Sequence, residues 1–232
     1  MIEYYVKAAS SFAPDIDFVF TLIFGLVGFW FVLSELVFFY FIIRFRKKDG
    51  RPAQYITGEE KHQKRWITYP HLMVLVCDVF IVVAAVQVWY KVKQDIPPAE
   101  QTVRVIGQQW AWSFVHPGAD GKLDTPDDIY TVDEVHLQKG VLYHFKLESR
   151  DVLHSFSVPN FRLKQDAIPG RVITGWFRPT ETGRFDLQCA EICGIGHGLM
   201  GAEIYVDTPA EHAAWVAAHS TRSVAVAKPA GE

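Results

Sequence analysis

The sequence predicts a two-helix transmembrane hairpin followed by an all-β sandwich. Two long apolar runs lie before residue 91, and beyond residue 95 short stretches alternate apolar and polar residues between Gly- and Asp-rich breaks. The length of 232 residues allows one or two domains. Since the net charge is only −3 and no basic stripe accompanies an aromatic platform, the chain is not expected to bind nucleic acid.

The predicted hairpin has helices over about 18–43 and 71–91. At about 1.5 Å per residue, each helix reaches across a hydrocarbon core of about 30 Å, and Trp89 and Tyr90 suit the aromatic belt at its edge. The segment between the runs is rich in Arg and Lys, and both flanks hold few, which predicts a cytoplasmic loop and two outer termini. The first run is too long for an ordinary secretory signal, and processing of the N-terminus stays open.

The β-domain is predicted from its short strands and turn signals. Its candidate strands include TVRVIG, VLYHFKLE, RVITGWF and GAEIYV, a pattern that indicates a sandwich or a barrel. The segment PAEHAAWVAAHS predicts a short helix, and the tail after it is expected to be flexible. The chain is thus divided into residues 1–94 for the hairpin, 95–208 for the β-domain, and 209–232 for the short helix and tail.

The stretch QCAEICGIGHGLMGAEIY holds the residues best suited to bind a metal. A disulfide between Cys189 and Cys193 suits an extracellular domain but leaves His197 and Met200 without a role. Zinc requires a further nitrogen or sulfur ligand, and a cysteine nucleophile requires one thiol with a base. Copper fits best, because thiolate, imidazole and thioether make up a blue-copper ligand set. The third cysteine, Cys77, lies in an apolar run and is expected to be a buried thiol.

A second imidazole has to come from elsewhere in the chain. A mononuclear blue site takes one Cys and two His, whereas this stretch offers two Cys and one His. The segment DVLHSFSVP supplies His154. Two thiolates can bridge two copper ions, each capped by one histidine. In that arrangement Met200 is a weak ligand of one ion, and the backbone carbonyl of Glu191 serves the other. A rigid loop of this kind suits electron transfer.

The pattern C-x-E-x-C-x-x-x-H-x-x-M, with DVLHSF and KQDAIPGR upstream, resembles subunit II of the haem-copper respiratory oxidases and its dinuclear copper centre, CuA. The resemblance covers nearly the whole chain and implies a cupredoxin-like Greek-key sandwich. It also implies that the carboxylate of Glu191 reaches a magnesium site shared with subunit I. The stretch GQQWAW resembles the family's electron-entry segment, which makes Trp110 the entry residue, with a core tryptophan as the alternative. The implied copper ligands are His154, Cys189, Glu191 (by its carbonyl), Cys193, His197 and Met200.

The resemblance implies the electron-entry subunit of a proton-translocating cytochrome c oxidase. A c-type cytochrome would reduce CuA, and subunit I would receive the electron at its haem and reduce oxygen to water. No C-x-x-C-H motif occurs, so the donor is expected to be separate and the haems to lie in the partner. Further membrane subunits and the lipid of a bacterial or organellar inner membrane are implied, with the C-terminal domain on the outer face.

Three other functional classes are weighed against this one. A quinol oxidase subunit would lack the copper ligands. A CuA subunit of a nitric oxide reductase is the alternative that the residues leave open. A copper chaperone or storage module would need exchangeable ligands and no membrane hairpin.

Some residues depart from the family pattern or lie at unusual places. Gln63 stands where the family often has a proton-feeding glutamate, so another route or a nearby acid is required. Glu35 and Asp78 lie within the predicted spans, where an acid is costly. We expect at least one of them to face a proton path or the catalytic subunit, and the alternative is a neutral acid at a helix interface.

Acids outside the membrane are candidates for docking a cationic donor. Asp151 follows Arg150 where many relatives have two acids. The loop GADGKLDTPDDIYTVDE offers more carboxylates that could steer a basic partner, bind calcium, or form a solvated hairpin tip. The candidate docking residues are Asp151, Asp124, Asp127 and Asp128.

Overall fold

The computed structural model describes residues 6–48, 50, 52 and 56–226. The chain divides into two compact units, each described here by itself. The helical unit is Asp17–Tyr90, and the β-unit combines residues up to Ile16 with residues from Lys91 onward.

Two long helices dominate the helical unit. Helix α1 is Ala13–Arg44 and helix α2 is Lys61–Trp89, followed by a π-helical turn over Tyr90–Gln94. Both helices are long and apolar enough to cross a membrane. Within the described part of the chain, the most apolar stretch of each helix has no buried residue. Helix α2 begins about ten residues before the predicted 71, because hydropathy marks only the apolar part of a helix and misses its polar first turns.

The β-unit is a sandwich of two five-stranded sheets, in the orders β3-β2-β1-β5-β8 and β4-β10-β9-β6-β7. The pairs β1–β5 and β4–β10 are parallel, and the other neighbouring pairs are antiparallel. The predicted class, two apolar helices followed by a cupredoxin-like Greek-key sandwich, is confirmed. The strands are β1 Gln101–Gln108, β2 Ala111–His116, β3 Ile129–Val132, β4 Glu134–Gln138, β5 Tyr143–Ser149, β6 His154–Val158, β7 Leu163–Ala167, β8 Ile173–Phe177, β9 Gly183–Cys189 and β10 Gly201–Asp207.

Alternating burial explains why these segments are strands. In β10, for example, Ala202, Ile204 and Val206 are buried, while the residues between them are only partly covered. Successive side chains of a strand point to opposite faces, so every second apolar residue reaches the space between the sheets. Aromatic side chains fill much of that space, among them Trp112, Phe114, Phe145, Phe156 and Phe177.

The segment before α1 packs on the sandwich. Ala9 and Phe12 are fully buried, and the Phe12 ring meets Trp176 edge-on at 5.1 Å. Ser10 forms a β-bridge with Pro179. The predicted division at residue 95 placed this segment with the hairpin, whereas its apolar side chains are buried in the β-unit.

The C-terminal helix α3 is Pro209–Val226. Thr208 and Glu211 form a capping box at its start, in which each side chain accepts the other residue's backbone N–H. Trp215 of this helix stacks on the imidazole of His136 at 4.4 Å and meets that of His116 edge-on at 5.0 Å. The helix continues past the predicted residue 220, and the last part of the predicted tail, residues 227–232, lies outside the described residues.

Candidate metal centre

Three neighbouring strands of one sheet place the metal-ligating residues at one end of the sandwich. Strand β9 ends at Cys189, and Met200 directly precedes the antiparallel strand β10. The Cys189 amide donates to the Met200 carbonyl at 3.0 Å, which closes the loop between them. His154 opens strand β6, which pairs with β9 so that Phe156 lies opposite Cys189. Strand pairing thus brings together side chains 35 residues apart in the sequence.

Three sulfur atoms meet at this end. The Sγ atom of Cys193 lies 3.8 Å from that of Cys189 and 3.7 Å from Met200 Sδ. All three residues are buried. The two thiols are free, since a disulfide would bring their sulfurs to about 2.0 Å.

Each thiol has its own imidazole. His154 Nδ1 lies 4.0 Å from Cys189 Sγ, and His197 Nδ1 lies 3.6 Å from Cys193 Sγ. The Glu191 carbonyl oxygen lies 3.3 Å from Cys189 Sγ. His154 is fully buried, whereas His197 is half-buried. The structure therefore assembles every residue that the sequence predicts to be a copper ligand.

The donor set fits copper. With thiolate–metal bonds of about 2.3 Å, sulfurs 3.8 Å apart can share a metal ion. Thiolate, thioether and imidazole are the ligands that suit copper, and the described residues hold His154, Cys189 and Cys193 close enough for one ion. Burial and the neighbouring Cys189 thiol raise the pKa of Cys193 to about 11. Metal binding therefore has to displace a proton from this thiol.

Comparison with known proteins gives the family. The family described as cytochrome c oxidase subunit II, periplasmic domain, matches residues 135–207. An alternative cytochrome c oxidase subunit 2 from Bradyrhizobium diazoefficiens is 33% identical over 228 residues, which cover 89% of this chain and 80% of the relative. The chain belongs to the cytochrome c oxidase subunit 2 family. It is thus a subunit of an oxidoreductase complex, and the family implies copper as its metal.

One further relative and one solved structure are also similar to this chain. Cytochrome c oxidase subunit 2 of Cereibacter sphaeroides is 29% identical over 266 residues, covering 96% of this chain and 86% of that protein. The crystal structure of the periplasmic domain of subunit II of cytochrome oxidase from Bradyrhizobium japonicum is 29% identical, with a TM-score of 0.49. It covers 55% of this chain and 98% of that one.

Beside the candidate metal centre, Trp110 lies against the loop from Cys189 to Met200, the ligand loop. Its Nε1–H donates to the Cys193 carbonyl at 3.3 Å, and 40% of the residue is exposed. A Cβ at Gly196 would lie 2.5 Å from the indole, so this position has room only for glycine. Gly194, at φ 124°, adopts a backbone conformation that favours glycine. The predicted entry residue therefore contacts the backbone of a predicted ligand and also reaches the surface.

The His154 ring is held by three groups to which the sequence analysis gave no role at the metal centre. Its Nε2 lies 2.8 Å from Asp151 Oδ1, and its edge meets the buried Trp112 at 6.0 Å. A Cβ at Gly107 would lie 3.0 Å from the ring. Burial alone would raise the pKa of the Asp151 carboxyl, but hydrogen bonds from the Gln109 amide, His154 and the next amide hold the pKa below its ordinary value.

The Glu191 carboxylate has a cationic partner. Lys164 Nζ lies 3.0 Å from Glu191 Oε1 and 3.1 Å from Asp166 Oδ1. Asp166 also accepts a hydrogen bond from Ser155 Oγ at 2.8 Å. Lys164 begins the stretch KQDAIPGR of the family pattern. Its place in that pattern was the sequence signal available for this contact.

The four predicted docking acids lie in two places. Asp151 is beside the metal centre, whereas the others belong to the loop after β2, at the end of that strand away from Trp110. The six residues of β2 extend for about 17 Å at about 3.4 Å per residue. In this loop Asp124 pairs with Arg104 at 2.6 Å, Asp127 accepts from Thr125 at 2.7 Å, and the buried Asp128 accepts from the Asp124 amide at 2.9 Å.

Other acids surround the metal centre more closely than the loop does. A groove of about 730 Å³ is lined by Cys189, His197 and Met200, and also by acidic residues of β4, β9 and β10 and of the turn between β3 and β4. Two of these acids belong to the acidic segment GADGKLDTPDDIYTVDE, but the sequence gave no signal that they would lie at the metal centre, because the grouping depends on strand pairing. The lining acids are Asp133, Glu134, Asp186 and Glu203.

The acids within the spans lie on different helices. Glu35 in α1 is half-buried and Asp78 in α2 is exposed, and neither forms an ion pair with another described residue. Gln63 lies in the first turn of α2, where its Oε1 accepts the Gly58 amide at 2.9 Å.

Proposed function

We propose that this subunit holds a dinuclear copper centre, CuA, and is the electron-entry subunit of its oxidase. It receives electrons one at a time from a c-type cytochrome and passes them to haem in subunit I. There oxygen is reduced to water with proton translocation.

The observation that carries this proposal is the pairing of each thiol with its own imidazole. Cys189 has His154 within 4.0 Å, and Cys193 has His197 within 3.6 Å. A mononuclear blue site would need both imidazoles close to the same thiolate, so that all three could bind one copper ion. When bound, a copper pair supplies a one-electron carrier. The buried ligands at the ends of paired strands would be held in one arrangement in both oxidation states, which suits electron transfer.

Donor docking is proposed at the surface around Trp110. This residue is part-exposed and hydrogen-bonded to the Cys193 carbonyl, so it offers a short route from the surface to a ligand. Asp151 is the predicted docking acid that lies on this side. The loop acids Asp124, Asp127 and Asp128 lie at the other end of β2, which favours Asp151 for direct contact.

A magnesium ion shared with subunit I is proposed at the Glu191 carboxylate. Lys164 balances the charge of this carboxylate in the isolated chain. A cation at the subunit interface would compete with Lys164 for it.

We also propose a multi-pass topology, with residues 17–90 as the membrane anchor and residues 95–208, together with the segment that packs on them before α1, as the copper domain on the outer face. Residues 209–232 are proposed as the C-terminal extension of that domain. Glu35 and Asp78 are proposed to contact subunit I or a proton path. If Glu35→Gln and Asp78→Asn each leave turnover and proton uptake of the complex unchanged, that role is excluded.

The test is metal analysis with electron paramagnetic resonance on the full-length chain, purified in detergent and loaded with copper. Two coppers per chain that share one unpaired electron, with a hyperfine pattern too rich for one nucleus, are the expected result. One copper with a single-nucleus pattern would refute the dinuclear centre. Cys193→Ser should abolish the shared-electron signal, and Cys77→Ser should leave it unchanged. Turnover of the purified complex with oxygen and with nitric oxide then identifies the acceptor.

A further inference from the structure

Gln109 joins both halves of the metal centre. Its backbone N–H donates to Asp151 Oδ2 at 2.7 Å, and the other oxygen of Asp151 lies 2.8 Å from His154 Nε2. Its side-chain Nε2 donates to the Cys193 carbonyl at 2.7 Å. One residue outside the ligand set is therefore linked to an imidazole ligand on one side and a thiolate ligand on the other.

Cys193 is the ligand whose placement matters most for the geometry of the centre. Its Sγ lies within 3.8 Å of Cys189 Sγ, 3.6 Å of His197 Nδ1 and 3.7 Å of Met200 Sδ. The Cys193 carbonyl accepts two hydrogen bonds, from Gln109 at 2.7 Å and from Trp110 at 3.3 Å. The shorter of the two comes from Gln109. Holding this peptide group holds the thiol at the middle of the site.

The fit around Gln109 is close. A Cβ at Gly194 would lie 2.9 Å from Gln109 Nε2 and 3.1 Å from the Trp110 ring. The amide of Gln109 and the indole of Trp110 therefore lie side by side on the same turn of the ligand loop. The acceptor is a carbonyl, so the nitrogen of the Gln109 amide has to face it.

We propose that Gln109 is the positioning residue of the electron-entry site, which fixes the Cys193 peptide and the Trp110 indole together and tunes the reduction potential of the centre. This inference rests on the proposed function. The N–H that Gln109 directs at the loop favours the electron-rich reduced state, since hydrogen bonds and net charge near the ligands set the potential of a metal site. Loss of this donor should lower the potential, and a carboxylate in its place should lower it further.

The chain offers a matched control in Gln108. It is the neighbouring exposed glutamine, and its Oε1 accepts from Arg150 Nη1 at 3.2 Å without contact to the ligand loop. Gln109→Met removes the donor at nearly constant size, and Gln109→Glu keeps the shape but places an acceptor against an acceptor. Gln108→Met and Gln108→Glu carry the same chemical changes one residue away.

The first measurement needs no copper. In the reduced full-length chain, alkylation of the buried Cys193 requires the loop to open, and Cys77 serves as the internal reference. Loss of one hydrogen bond should make opening about fivefold more frequent, so Cys193 in Gln109→Met should be alkylated about fivefold faster. Gln108→Met should match the wild type. An equal Cys193 rate in Gln109→Met and wild type would overturn the inference, whatever the metal content of the wild type.

The second measurement is a redox titration of the copper-loaded chain. We expect the midpoint to fall in the order wild type, Gln109→Met, Gln109→Glu. At the wild-type midpoint, the reduced-to-oxidised ratio of Gln109→Glu should fall by about threefold or more relative to Gln108→Glu. Equal midpoints for these two glutamate variants would overturn the inference. If the wild type itself lacks the dinuclear signal, the proposed function fails, and the alkylation result still decides the role of Gln109.

Discussion

Acidification should destabilise the β-unit through His116. This residue ends strand β2 and is only 2% exposed, under the Trp215 ring of the C-terminal helix. The pKa of His116 is lowered from 6.5 to about 3, because burial disfavours the charged form and the imidazoles of His136, His212 and His219 add repulsion. The Thr131 hydroxyl lies 3.4 Å from His116 Nε2, and an uncharged hydroxyl at this distance stabilises a protonated ring only a little.

The sign and size follow from proton linkage. The unfolded chain protonates this imidazole below about pH 6.5, and the folded chain does so only near pH 3. The contribution to stability is therefore complete above pH 6.5 and is lost progressively as the pH falls from there toward 3. Between pH 7.5 and pH 5 the loss from this one group is about 2 kcal/mol.

Denaturant unfolding of the copper-free chain in detergent, followed by tryptophan fluorescence at pH 7.5 and pH 5, measures the loss. His116→Phe keeps an aromatic ring against Trp215 but removes the titrating group, so its pH dependence should be smaller by about 2 kcal/mol. His144→Gln is the control, because His144 is part-exposed and contacts the Pro97 carbonyl instead of this cluster. The reasoning is refuted if His116→Phe and the wild type lose the same stability between the two pH values.

Three further outcomes are expected. Gly196→Ala should slow electron entry from a reduced c-type cytochrome about tenfold in a stopped-flow assay, since the added Cβ would lie 2.5 Å from the Trp110 ring. Gly198→Ala is the control, because its Cβ would meet nothing within 4 Å, and it should match the wild type in the same assay. Asp124→Asn should leave the ionic-strength dependence of that rate unchanged, because its loop lies at the far end of β2, and a weaker dependence would instead support steering by the loop. Met200→Leu should keep its copper in metal analysis, since leucine fills the buried space. Its electron paramagnetic resonance spectrum should differ from that of the wild type, and an unchanged spectrum would exclude Met200 as a ligand.

Much of the candidate site could be predicted from the sequence, because most of its ligands lie in one loop. Cys189, Cys193, His197 and Met200 follow each other within twelve residues, and a single turn between two strands can gather them. His154 was found because the chemistry needed a second imidazole and the resemblance supplied its position. The hairpin was predictable because uninterrupted apolar runs report on membrane spans directly.

The contacts around the ligands could not be read in the same way. Gln109 meets Asp151 because β1 and β5 pair in parallel, with Gly107 opposite Ser149. Register between strands depends on the packing of the whole sheet, and a shift of one residue would turn every side chain to the other face. The burial of Phe12 on the sandwich was missed for a related reason, since a short apolar segment before a long apolar helix carries no separate hydropathy signal.

The arrangement of the two sheets explains how Trp110, the proposed entry residue, and the ligand loop come to meet. Trp110 lies in the turn between β1 and β2 of one sheet, and the ligand loop joins β9 and β10 of the other. Contact between them requires the sheets to be fixed at this end, where the His154 ring packs between Trp112 and Gly107. A rigid scaffold can place functional groups precisely on the loops at one of its ends, and no large loop is needed. The buried core is thus linked to the proposed electron-entry site through His154 and Gln109. Substitution of either residue should change the properties of the metal centre before it changes the overall stability.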